Sequence, residues 1–434
     1  MRRKKELHET YPWMYPALLL FSAALIVFGL SVGGVAGTLA GLKKIILSEG
    51  ALITDYIALA GIGPSFVNAG LVMLASLFIL HGSDMAANGF MICIAGLMAG
   101  FALFGKNIAN IWPIVFGAYL YSKVKKQPFH ENVTCGLLST TLAPVVSMVA
   151  LQKENHVGFI LLGIFVGICI GFVMPSIAAF TAKIQNGFSL YNVGFAAGLL
   201  AMLLVPLLSS FEIEPQAVRI WSTGNNKVFG IALGIFCFIV IAIGLIVDKQ
   251  ALKHYWALLK TSGKSPSDYL EMFGIAPVLI NMGMNGLLAT GYILAIGGDL
   301  NGPTIGAVLT ILGFSSFGKH LFNIIPVMLG IVLASFISHW SLQDMSMQII
   351  ALFGTTLTPI AGHFGWPYGL LAGFLHASAA QRSGLTAAGL NLYNNGFTGG
   401  LITIVLYPIF AALAPKKTRE LIEQEEREHF LAEE

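Results

Sequence analysis

The ten residues F-G-K-N-I-A-N-I-W-P at 104–113 return as F-G-K-H-L-F-N-I-I-P at 317–326. Over 104–122, nine of nineteen positions match their counterparts 213 residues on, among them Phe, Gly, Lys, Asn and Pro. Three further blocks recur in the same order. Pro64, Asn68 and Gly70 match Pro277, Asn281 and Gly283. Thr140-Thr141-Leu142 with Pro144 matches Thr355-Thr356-Leu357 with Pro359. Leu190-Tyr191-Asn192, Gly194-Phe195 and Gly198-Leu199 match Leu392-Tyr393-Asn394, Gly396-Phe397 and Gly400-Leu401. The chain is a duplication, and its fold must be built from two like halves.

Composition decides what the halves are made of. Only 10% of residues are charged, 56% are apolar, and the mean hydropathy is +0.79. Uncharged stretches at 56–83, 155–182, 184–211, 272–298 and 345–381 each exceed the roughly 20 residues that a helix needs to cross hydrocarbon. Period-two alternation is absent, which argues against a barrel. These features predict an all-α polytopic membrane protein. Cys93, Cys135, Cys169 and Cys237 sit in apolar runs and read as small hydrophobes. The apolar run after residues 1–10 lacks a small-residue cleavage site and reads as a retained first span.

Basic clusters at 2–5, 123–126, 249–264 and 416–419 point to the cytoplasm, and the linker around Glu212 and Glu214 points outside. The block 104–122 ends in a basic loop, whereas its copy 317–335 ends in one without Lys or Arg. Matching segments therefore face opposite ways, which predicts two inverted-topology repeats with both termini cytoplasmic. The expected organisation is repeat 1 over 1–210, an external linker over 211–227, repeat 2 over 228–415 and a charged cytoplasmic tail over 416–434. Lys43 and Lys44 fit this scheme poorly and are assigned to an interfacial amphipathic segment.

The segments 90–104 and 108–122 have 15 residues each, about 22 Å as helix, and their copies are similar. Short segments at matching places in inverted halves point to a transport site. Each pair is expected to form a re-entrant hairpin with Lys106 or Lys319 at its tip, flanked by Asn107 or His320. Asn110 and Asn323 precede Pro113 and Pro326 by three residues, the pattern of a helix start. Such helices would aim free N–H groups at the lysines and make an electropositive site. Snorkelling of both lysines to the headgroups is the bland alternative.

Tyr191, Asn192, Tyr393 and Asn394 supply uncharged donors and acceptors, for solute contact or for helix–helix bonding. Thr141 and Thr356 lie beside prolines, where hydroxyls satisfy carbonyls freed by a helix break. His376 is a candidate proton carrier without a symmetry mate. No H-E-x-x-H, G-x-S-x-G, Walker or C-x-x-C pattern is present, so neither an enzyme nor a cofactor is expected.

On the F-G-K-x-x-x-N-x-x-P and L-Y-N-x-G-F-x-x-G-L blocks, the whole chain resembles an uncharacterised family of duplicated bacterial membrane proteins. The second block also faintly resembles the Y-N-x-x-L-x-G stretches of urea channels, and paired hairpins are similar to those of elevator-type carriers. The lysine-tipped hairpins, with no nucleotide-binding motif beside them, lead to the expectation of an inner-membrane secondary carrier for a small polar or anionic solute. The alternatives are a passive channel for a neutral, urea-like solute, then a scaffold or membrane enzyme. Its partners would be the lipid bilayer and the solute, with a homo-oligomer compatible and nucleic acid excluded.

Overall fold

The computed structural model describes residues 11–51, 54–153, 156–214, 219–386 and 389–413. The basic clusters at 2–5 and 416–419 and the expected tail at 416–434 lie outside them. Repeat 1 contains α1 (Met14–Gly33), α2 (Val35–Ile46), α3 (Tyr56–Ala60), α4 (Ile62–Gly82), α5 (Gly89–Phe101), α6 (Trp112–Val124), α7 (Val133–Ser139), α8 (Ala143–Ala150), α9 (Val157–Gln185) and α10 (Asn192–Ser209). Repeat 2 answers one for one with α11 (Asn226–Val247), α12 (Ala251–Leu258), α13 (Tyr269–Phe273), α14 (Ile275–Ala295), α15 (Gly302–Phe314), α16 (Leu321–Ile337), α17 (Met345–Phe353), α18 (Thr358–Phe364), α19 (Trp366–Thr386) and α20 (Asn394–Leu413). The main difference is length: α9 has 29 residues and α19 has 21.

Among the described residues, nine helical stretches are long and apolar enough to span a membrane. Their outer faces carry large apolar side chains such as Leu20, Phe165 and Ile246, while Lys106, Lys319, Asn68 and Asn281 are fully buried. A soluble protein would be arranged the other way round. This is the surface of a multi-pass membrane protein, whose backbone bonds must close within helices.

Sequence accounts for the breaks. Gly61 and Gly274 hold φ of 96° and 81° and separate α3 from α4 and α13 from α14. The Thr-Thr-Leu triplets form single 3-10 turns, Thr140–Leu142 and Gly354–Leu357, and Pro144 and Pro359 sit in the first turns of α8 and α18, where no N–H is missed. The uncharged stretch at 56–83 thus holds two helices, and so does 133–150. Lys43 and Lys44 fall in the last turn of α2, a helix with a more one-sided apolar face than its neighbours.

Packing repeats as faithfully as sequence. α1 lies on α4 as α11 lies on α14, and α6 lies on α9 as α16 lies on α19. The two largest contacts between repeats are α5 on its own counterpart α15 and α10 on its counterpart α20. The first runs antiparallel: Gly96 faces Leu309 and Gly313, Gly100 faces Gly306, and Gly89 faces Ser316. A Cβ on Gly100 or Gly306 would come within 2.4 Å of the other's carbonyl oxygen, so only glycine allows this approach. α5 and α6 find their main partners elsewhere and not on each other, and so do α15 and α16.

Candidate functional site

Two carboxylates fix the ends of the central helix pair. Asp55 caps α3 through Ile57 N (2.9 Å) and also accepts from Gly302 N at the start of α15 (3.1 Å). Asp268, its counterpart, caps α13 through Leu270 N (3.0 Å) and accepts from Gly89 N at the start of α5 (2.8 Å). Each repeat thereby holds the other's helix N-terminus with an acidic side chain, where the helix dipole favours it. Asp55 has an extra tie to the linker, accepting from Ser222 N (2.9 Å) and Ser222 Oγ (2.5 Å).

Past α5 the chain turns at Gly105, and past α15 at Gly318, with φ of 90° and 93° that side chains rarely tolerate. Asn68 Nδ2 donates to Lys106 O (2.9 Å) and Asn281 Nδ2 to Lys319 O (2.7 Å), pinning both turns from behind. The lysine side chains then fold back along α5 and α15, away from the starts of α6 and α16. Lys106 Nζ donates to Tyr393 Oη (2.5 Å), lies 3.5 Å from Met98 Sδ, and sits over the Phe101 and Tyr393 rings. Lys319 Nζ donates to Tyr191 Oη (2.5 Å) and Thr355 Oγ1 (2.7 Å), over the Tyr191 and Phe314 rings. Both lysines are wholly buried, so neither snorkels. Their cages consist of hydroxyls, a thioether and ring faces, with no carboxylate among the described residues that bond them.

The tyrosines are crossed between repeats, and so are the threonines. Thr141 Oγ1 accepts from Tyr393 N (2.8 Å), and Thr141 O accepts from Leu392 N (3.1 Å). Thr356 Oγ1 accepts from Tyr191 N (3.0 Å), and Thr356 O accepts from Leu190 N (3.1 Å). The 3-10 break in each repeat therefore grips the Leu-Tyr pair of the other.

Of the residues singled out from sequence, Lys106, Tyr393 and Thr141 meet in one cluster, and Lys319, Tyr191 and Thr356 in its mirror. The rest stand apart. Asn110 caps no helix, since α6 starts at Trp112 without a side-chain cap, whereas Asn323 belongs to the capping box that starts α16. Their Oδ1 atoms accept from Asn107 N (2.8 Å) and His320 N (2.9 Å), and they donate to Gly105 O and Gly318 O, closing the turns. Asn107 Nδ2 reaches Ile45 O and His320 Nε2 lies 2.9 Å from Thr261 O, both on the far side of the loop. Asn192 bonds Thr181 and Ala178 O on α9 and also lines the cavity between the repeats, whereas Asn394 donates to Ser383 on α19, which is helix-to-helix bonding. His376 is buried with Nε2 3.1 Å from Asn395 Oδ1.

A cavity of about 1120 Å³ lies between the repeats. Its buried end is aromatic, made by Phe101, Phe314, Phe353, Tyr191 and Tyr393, and all but Phe353 are rings that cage the lysines. Its mouth carries Lys183, Asn186, Ser262 and Lys264. Ala51 and Gly389, the counterparts of Lys264 and Gly187, are not among its walls. The cavity is one-sided in a molecule whose helices are nearly two-fold symmetric.

Several site residues escape a reading of the four copied blocks. Asp55-Tyr56 and Asp268-Tyr269 lie at the same 213-residue offset as the lysines, as do Phe101 and Phe314, so a longer alignment of the halves finds them. Gln185 gives no such signal, because it sits in an uncharged run that reads as a span boundary.

Fold and cavity together define a duplicated, all-helical, multi-pass membrane protein with a polar-tipped aromatic chamber where its halves meet. The chain belongs to the family described as protein of unknown function DUF1576, whose model matches it twice, over residues 35–210 and 247–412. The two matches coincide with α2–α10 and, from the end of α11, with α12–α20. No curated protein and no solved structure matches the chain.

Proposed function

We propose that this protein is a membrane transporter, a secondary carrier for a small anionic solute bound between two inverted repeats. One observation carries the proposal: each repeat buries a lysine whose amino group is held by the other repeat's tyrosine and meets no carboxylate among the described residues. Buried charge is costly unless paired, and intramembrane lysines cluster on substrate and ion paths. Neither lysine lines the chamber, so an anion entering it supplies the partner that the protein withholds only by passing the Tyr191 and Tyr393 rings that cover them.

The inverted arrangement is supported by geometry and charge. Two equivalent helices packed antiparallel, as α5 and α15 are, are related by a two-fold axis perpendicular to them, which lies in the membrane plane when they stand upright. Lys123, Lys125 and Lys126 follow α6, whereas the turn after α16 carries no Lys or Arg. Under this orientation both termini are cytoplasmic in the cell's inner membrane, and the chamber opens inward beside Lys264. A one-sided chamber in a two-fold frame is what half of an alternating-access cycle requires. The mirror-image opening would be lined by the counterparts near Ala51 and Gly389.

The test is solute flux in proteoliposomes for wild type, Lys106→Gln, Lys319→Gln and the double variant, across small anions and neutral amides. Anion flux and competition between anions should fall in each single variant and vanish in the double. Unchanged flux in all three would refute the anion site and favour a channel for a neutral solute lined by Tyr191 and Tyr393.

A further inference from the structure

Gln185 is the last residue of α9, and its side chain is 1% exposed on the chamber wall beside Asn186, Ser189 and Tyr191. Neither its amide oxygen nor its amide nitrogen has a hydrogen-bond partner among the described residues. Folded interiors leave few such groups, and each calls for an explanation, because an unmade buried hydrogen bond opposes folding. The duplication does not demand this amide: 202 residues on, the other repeat has Ala387. The wall that carries it also carries Tyr191, whose hydroxyl holds Lys319.

We infer that Gln185 sets specificity, reading a hydroxyl or carboxamide of an organic anion whose charged group lies at the lysine–tyrosine clusters. The solute class is then a hydroxy- or amido-substituted carboxylate. The chemistry is complementary, since an amide offers both donors and an acceptor, and a hydroxyl or carboxamide does the same. A bare inorganic anion accepts only and leaves the Gln185 oxygen unsatisfied. The chamber, at about 1120 Å³, also has room for more than a tetrahedral anion. This inference rests on the anion reading of the chamber.

Matched probes separate the two. Malate and succinate differ by one hydroxyl, as do lactate and propionate. Their binding to the purified full-length protein is measured by calorimetry for wild type, Gln185→Leu, Gln185→Met and Lys319→Gln, with unfolding temperatures recorded alongside. Wild type should favour the hydroxylated member of at least one pair, on the order of tenfold. Gln185→Leu should lose that preference, keep affinity for the plain acid, and unfold at a higher temperature without ligand because the unsatisfied amide is gone. Gln185→Met serves as the second variant if Leu does not fold. Equal binding of both members in wild type, or a preference that survives both substitutions, overturns the role of Gln185. So does a lower unfolding temperature with the preference intact, the mark of a merely structural residue. If plain and hydroxylated acids bind equally and both are lost in Lys319→Gln, the anion site stands without Gln185. If no probe binds, or binding is unaltered in Lys319→Gln, the anion site falls too.

Discussion

Replacing each lysine by methionine in turn uses the duplication as its own control. Lys106→Met and Lys319→Met remove the same amino group from equivalent turns, so the gain from no longer burying it, several kcal/mol for a charged form, is common to both. What is lost differs. Lys106 gives up one oxygen partner and a weak contact with Met98 Sδ, whereas Lys319 gives up two oxygens, Tyr191 Oη and Thr355 Oγ1. Thr355 keeps its own bond to Leu352 O at 2.5 Å, so it is not orphaned. The ring contacts are closely matched, at 4.7 and 5.5 Å for Lys106 and 4.6 and 5.1 Å for Lys319. The difference reduces to one hydrogen bond, so Lys319→Met should be less stable than Lys106→Met by about 1–2 kcal/mol. Reversible unfolding in mixed micelles, followed by circular dichroism, measures that difference directly. Lys106→Met should lie close to wild type or above it. If both variants lost more than about 3 kcal/mol, as broken buried ion pairs do, the neutral cage would be the wrong description and a hidden acidic partner would have to exist.

Gly100→Ala should destabilise severely, by about 3 kcal/mol or more, because its Cβ meets the Gly306 carbonyl, while Gly37→Ala, with open space around it, should stabilise by about 0.5–1 kcal/mol in the same unfolding assay. Thr356→Val should free the Tyr191 amide across the repeat boundary, costing about 1–2 kcal/mol and speeding hydrogen exchange in the peptide around 187–195. Asn394→Ala should lower the yield of folded protein yet leave flux per folded molecule intact; selective loss of flux would return this amide to the solute path. Cysteines placed at Lys125 and Ser338 should label from opposite faces of sealed vesicles, and labelling from one face would mean a parallel duplication.

Much of the fold is written in the repeat and in hydropathy, since the copied blocks recur on equivalent elements and the Thr-Thr-Leu-x-Pro signal marks true helix breaks. The short helices α3 and α13 are not visible there, because a glycine at positive φ interrupts a helix without interrupting an apolar run. At the site, residue types are legible and partners are not. Lys106 and Tyr393 are 287 positions apart, and nothing in one repeat's sequence says that its lysine must find the other repeat's tyrosine. Asn192 and Asn394 carry the same donors and acceptors whether they face solute or a neighbouring helix, and only the structure puts Asn192 on the chamber wall and Asn394 against α19. Gln185 stays hidden because one amide among apolar residues carries no pattern.

The crossed threonine grips also govern how the chain can be made. During synthesis the first repeat enters the bilayer with Lys106 and the Thr141 break facing a gap, and residues 391–393 are among the last positions before the final helix to leave the ribosome. Until they arrive, the amino group of Lys106 lacks the Tyr393 hydroxyl and ring and has only Phe101 and Met98 of its own repeat, and Thr141 has no Leu-Tyr pair to hold. The first half is then an unfinished object for most of translation, and a stop anywhere before Tyr393 leaves it so. The two halves behave as interlocked subunits that share one chain: neither should survive alone, and separately encoded halves should recover only when produced together.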